Sequence, residues 1–90
     1  MTIVKVKKII DGDTFQDTKN KFFRLSNIDT PEKKERGYQK AKEILKNLIR
    51  DEKLIVKIEG ISYGRKVVTA RIPGEKMTIN TKMKRKGYDQ

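Results

Sequence analysis

From Ile3 to Ile10 the chain alternates β-branched and basic residues. Val4, Val6 and Ile10 fall on one face and Lys5 and Lys7 on the other, the two-residue period of a half-buried strand. Lys8 intrudes on the apolar face, and a β-bulge is the expected way to absorb it. Asp11-Gly12 marks a turn, and Thr14-Phe15 opens a short second strand. After the polar turn Thr18-Lys19-Asn20-Lys21, Phe22 to Ile28 reads as a third strand. Phe23 and Leu25 point one way there, which puts Arg24 on the opposite surface. From Tyr38 to Arg50, Ala41, Ile44, Leu45, Leu48 and Ile49 mark one face of a helix. Leu54, Val56 and Ile58 alternate in a fourth strand, Tyr63-Gly64-Arg65 is a turn, and Val67 to Ile72 is a fifth strand. Pro73-Gly74 turns the chain again. Thr78 to Lys86 forms a short, weakly amphipathic helix that Gly87 is placed to close.

Three strands, a helix, two strands and a second helix make a mainly β, α+β chain. Five short strands with a helix between the third and fourth is the layout of an OB-fold barrel. With 90 residues, no internal repeat and no linker, residues 1–90 are expected to form one domain. A domain of this size buries only about 60% of its unfolded surface, so the core is modest.

Composition narrows the chemistry. Without cysteine there is no disulfide and no thiolate metal site. Without histidine the usual zinc ligand and the usual general base are both missing, so proton transfer falls to a carboxylate, Tyr or Lys. A metal here must accept oxygen ligands, Ca²⁺ or Mg²⁺ before Zn²⁺. Lys and Arg number 23 against 12 Asp and Glu, a net charge of +11, which favours polyanionic partners, nucleic acid first. No apolar run approaches the ~20 residues of a membrane span, so no membrane partner is expected. Met1 to Lys5 lacks the apolar core of a signal peptide. A full-length chain would be cytoplasmic, and one from which a signal had been removed would be secreted.

Against this basic background, Asp11, Asp13, Asp29 and Glu32 cluster where strand-like patterning stops, with Arg24 and Arg65 nearby in the pattern. Carboxylates grouped with arginines suggest a site for both a hard cation and a phosphate. Each piece also has a plain structural explanation. Asp29 can cap a helix with Glu32 completing a capping box, or Thr30 can cap with Pro31 at the first helical position. Asp11-Gly12-Asp13 can be no more than a tight turn, and does not fit the twelve-residue EF-hand loop. Arg24 can occupy the wet face of its strand, and Arg65 can solvate a turn.

The segments Ile10-Asp11-Gly12-Asp13-Thr14, Phe23-Arg24-Leu25, Ile28-Asp29-Thr30-Pro31-Glu32 and Tyr63-Gly64-Arg65, in that order, resemble the staphylococcal-nuclease (thermonuclease) family. Asn80 followed by Gly87 is similar to its closing helix. The resemblance implies a five-stranded OB-fold barrel and Ca²⁺-dependent hydrolysis of DNA and RNA, with single-stranded nucleic acid as substrate and a monomeric protein. It further implies Asp13 and Asp29 as carboxylate ligands, Thr30 as a backbone carbonyl ligand and Glu32 as the base that activates water. Arg24 and Arg65 would grip the phosphate, Tyr63 would lie beside the nucleotide, and Asp11 would stand behind the metal rather than bind it. A nucleic-acid-binding barrel without useful catalysis is the alternative.

The chain also departs from that pattern. The link from Glu32 to the helix is shorter than in the best-known member. Ile61-Ser62 stands where many members carry Asp and a basic residue, and Asn27 where Gly or an apolar residue is usual. Lys82 and Lys84 occupy often apolar places, and Gln90 ends the chain short of the additional C-terminal helix of longer members.

Overall fold

A computed structural model describes residues 2–89. The elements are β1 (Thr2–Asp11), β2 (Thr14–Asp17), β3 (Phe22–Leu25), α1 (Tyr38–Ile49), β4 (Lys53–Ser62), β5 (Arg65–Arg71) and α2 (Ile79–Arg85). The strands close a barrel in the order β1-β2-β3-β5-β4. Every neighbouring pair is antiparallel except β3 and β5, which run parallel with Phe23 opposite Lys66, Arg24 opposite Val67 and Leu25 opposite Val68. The mainly β fold with one helix between strands three and four and a short closing helix is the expected one. Phe15 and Phe23 stack at 5.3 Å in the barrel interior, with Leu25, Leu54, Val56 and Val68 around them. Ala41, Leu45 and Ile49 present the buried stripe of α1.

The first strand carries the bulge expected near Lys8, since Val6 faces Asp17 and Lys8 already faces Gln16. The extra residue reverses the phase of alternation. Ile9 therefore takes the buried place assigned to Ile10, which is only half-buried. In β4, Ile58 keeps the phase of Leu54 and Val56 yet is exposed, because β1 pairs with β4 only over Lys53–Val56. The third strand stops at Leu25 rather than Ile28. Asn27 adopts a left-handed backbone (φ 59°), which asparagine tolerates better than most residues. Ile28 then forms an isolated bridge with Asp89.

Neither helix cap proposed for Asp29–Glu32 exists. Residues 29–37 form an irregular loop, and α1 begins at Tyr38 behind Gly37, whose φ of 88° requires no side-chain cap to redirect the chain. Asp29 and Glu32 thus lose the capping roles that would have explained them. The closing helix behaves as expected. Thr78 caps it by accepting from Thr81 N at 3.0 Å. Beyond its end Gly87 N bonds Lys84 O and Tyr88 N bonds Met83 O, the paired bonds of a Schellman motif. Asn80 is buried, accepting from Ala70 N and donating to Ser26 O and Val68 O at 3.0–3.1 Å. It pins α2 across the β3–β5 seam. Among the described residues no helix is long and apolar enough to cross a membrane.

Candidate functional site

One open cleft of about 420 Å³ is lined by Asp11, Asp13, Arg24, Asp29, Thr30, Glu32 and Arg65, together with Pro31 and Lys33. The turn after β1, the strand β3, the loop after it and the start of β5 each contribute. Seven of the eight residues singled out from the sequence converge there. Tyr63 does not line the cleft: it stands almost fully exposed at the tip of the β4–β5 hairpin.

Asp13 is the most enclosed carboxylate of the cleft. Its Oδ1 accepts from Thr14 Oγ1 at 2.9 Å, its Oδ2 faces Arg24 Nη2 at 3.4 Å, and its backbone carbonyl accepts from Leu25 N at 2.8 Å. Arg24 is fastened to the main chain as well, with Nη1 donating to Leu25 O at 3.0 Å and Nη2 to Ile28 O at 2.9 Å. Those contacts fix the plane of the guanidinium and leave further N–H groups for an anion. Arg65 is held loosely, by one long bond of 3.4 Å from Nη1 to Thr14 Oγ1. Glu32 is exposed, and its carboxylate makes no hydrogen bond or ion pair among the described residues; its backbone N instead donates to Glu35 Oε1 at 2.7 Å. Asp29 is exposed too, but its backbone N donates to Tyr88 O at 2.9 Å, so the segment after α2 holds that part of the loop. The buried carboxylate Asp17 belongs elsewhere, accepting from Lys19 N and Lys21 N in the β2–β3 turn.

Two residues that position the site were not singled out from the sequence. Tyr38, at the start of α1, directs its hydroxyl to Ile10 O and Asp11 Oδ1, both at 2.9 Å. The bond to Asp11, then burial, then the Asp11 charge raise the phenol above its usual range. Its partner lies 27 residues upstream, and no local pattern links them. Because the folded pKa is the raised one, this stability is intact below the unfolded value of about 10 and is lost as pH rises through the folded pKa. Tyr38→Phe is therefore expected to flatten the alkaline loss of stability relative to the parent protein. Urea melts of both proteins on either side of pH 10 measure the difference.

Gly12 was legible as a turn residue, but its role is close packing. Its φ is not positive. A Cβ there would lie 2.8 Å from Ala41 Cβ and 3.0 Å from Thr30 Cβ and Cγ2, so the Asp11–Asp13 turn is pressed against both α1 and the Thr30 loop. Gly12→Ala is expected to destabilise by about 1–3 kcal/mol through overpacking, read as a lower urea midpoint at unchanged m-value.

The donor set contains only oxygen and suits a hard cation. Among the described residues no three carboxylates converge closely enough to hold an ion by themselves. An ion in the cleft would rest on fewer carboxylates and complete its shell from a backbone carbonyl, water and the bound anion. Four carboxylates face three cations along the cleft (Asp11, Asp13, Asp29 and Glu32 against Arg24, Lys33 and Arg65), so added positive charge is locally welcome despite the basic chain.

A family model described as Staphylococcal nuclease homologue matches residues 22–90. That span contains Arg24, Asp29, Thr30, Glu32, Tyr63 and Arg65, while Asp11 and Asp13 precede it. No curated protein sequence matches the chain.

Proposed function

The chain belongs to the family of staphylococcal nuclease homologues, and on that premise we propose that it is a Ca²⁺-dependent nuclease cutting phosphodiester bonds in single-stranded DNA or RNA. The observation that carries the reading is the single cleft in which four carboxylates face two arginines. A phosphodiester is anionic and resists nucleophiles, so its hydrolysis depends on positioning and on neutralising charge that grows on the phosphoryl oxygens. Arg24, already oriented by Leu25 O and Ile28 O, and Arg65 are suited to that task because guanidinium binds two oxygens at once and stays protonated. Glu32, whose carboxylate has no partner among the described residues, takes the proton of the attacking water. Asp13, Asp29 and the Thr30 carbonyl would hold Ca²⁺, which when bound supplies positive charge to phosphate and water together. Asp11, fastened by Tyr38, supports that arrangement from behind. Tyr63 offers its exposed ring to a base outside the cleft.

The alternative, a barrel that binds nucleic acid without cutting it, is favoured by one observation: nothing among the described residues holds the Glu32 carboxylate in place. Against it, a pure binder would gain nothing from four carboxylates in the path of a phosphate. Purified protein is expected to degrade single-stranded DNA with Ca²⁺ and to stop when a chelator is added. A strand that is retained in a mobility shift but stays intact with Ca²⁺ would establish the alternative.

A further inference from the structure

We propose that the groove between β1 and α1 is a second nucleic-acid subsite, holding the phosphates of a strand after it leaves the carboxylate cleft. This rests on the reading above as a nucleic-acid enzyme. The bulge in β1 leaves Lys7 and Lys8 both exposed in succession, where strict alternation would have turned one inward. The facing wall is α1, whose residues Gln39, Lys42, Glu43 and Lys46 follow the helical repeat along one stripe, with Arg50 just past its end. Between the walls lies a hollow of about 330 Å³. Lys7, Lys8, Lys42, Lys46 and Arg50 set five positive charges against two negative ones, Glu43 and Asp51, a local balance of +3. Asp51 already lies 3.9 Å from Arg50. Lys8, Lys42 and Lys46 make no ion pair among the described residues.

The groove also leads somewhere. A smaller hollow of about 290 Å³ shares Lys8, Gln39 and Lys42 with it at one end. At the other end the same hollow shares Asp11 and Lys33 with the cleft. Lysines that merely solvate a surface would be expected scattered among acids. Here they line a continuous path, and Lys42 and Lys46 stand as like charges one helical turn apart, which is unfavourable until a polyanion lies between the walls. None of the described residues lining the main groove is aromatic, so they offer no stacking platform and fit the phosphate backbone rather than the bases. The subsite therefore adds affinity for long strands without adding sequence preference.

The test combines Lys8→Gln, Lys46→Gln and Arg50→Gln, none of them in the cleft, and compares oligonucleotides of about 4 and about 16 nucleotides, the span of site sizes for such barrels. With a chelator present, so that the strand stays intact, affinity for the long strand is expected to fall and its log K against log salt slope to shrink by roughly 2, near 0.7 per lost phosphate contact. Affinity for the short strand, and its rate of cleavage with Ca²⁺, should stay unchanged. Lys8→Arg with Lys46→Arg and Arg50→Lys keeps the charge and should keep long-strand affinity. An unchanged slope in the glutamine variant, or lost affinity in the charge-preserving one, overturns the proposal. So does a variant that loses binding only to anionic vesicles. Because affinity is measured independently of cleavage, absence of turnover in every protein refutes the nuclease reading while the groove is still decided by the slopes.

Discussion

Glu32→Gln is expected to lower kcat by roughly 10²–10⁴, the contribution of a positioned general base, while leaving strand affinity unchanged or higher. The exchange removes a proton acceptor and a negative charge near the phosphate but keeps the side chain's size. Glu32 is also a clean position for the experiment. Its carboxylate supports no other group among the described residues, so little else is disturbed. Arg65→Lys is the companion change, expected to cost on the order of 10²–10³ in kcat if the planar fork stabilises charge in the transition state. A barrel that used only its overall field would lose a few tenths of a kcal/mol or less in affinity and nothing else. Arg65 is the better arginine to alter, since it holds the fold by one long bond, whereas Arg24 ties down Leu25 O, Ile28 O and Asp13. Single-turnover rates and equilibrium binding with Ca²⁺, measured on both variants, separate the readings. Near-parental turnover in either variant would remove that residue from the mechanism.

The second large effect is on stability. A ligand that binds only the folded state adds RT ln(1 + [L]/Kd), about 2.7 kcal/mol at a hundredfold excess over Kd. For a domain of this size that is a rise in Tm of roughly 10–20 °C. Asp13→Asn combined with Asp29→Asn is expected to abolish the rise. The Ca²⁺-free double variant should be less stable than the parent, because Asp13 is the carboxylate beside the largely buried Arg24 and its loss leaves that cation uncompensated. Asp29→Asn alone should spare the Ca²⁺-free protein, its side chain being exposed. If calorimetry shows the full Ca²⁺ shift in the double variant, the ion binds elsewhere.

The fold was largely readable because alternation and the helical repeat are local signals. They failed where a neighbour intervened. Ile10 and Ile9 exchanged places because a bulge reset the phase, and the bulge depends on how β2 is registered against β1. The loop carrying Asp29, Thr30 and Glu32 resembled a helix start, since capping residues and site residues are the same short polar types. Only the course of the chain to Gly37 decided between them. The members of the cleft could be named from the sequence, but what holds them could not. Tyr38 reaches Asp11 across the fold, and Gly12 meets Ala41 and Thr30 from different segments. Such contacts leave no spacing to read.

The parallel seam between β3 and β5 carries a consequence for how the cleft is assembled as the chain folds. Arg24 and Arg65 approach the same cleft from segments separated by α1 and β4, and the seam spans three facing residue pairs. The β1–β2 and β4–β5 hairpins form between close neighbours in sequence, but this seam must close a long intervening loop before it is rewarded. The two arginines are thus brought together by one of the most entropically demanding contacts in the barrel, with Asn80 as the clasp across it. During refolding, helical signal should return ahead of strand cleavage. On warming, separation of this short seam would part the two arginines while most of the secondary structure persisted.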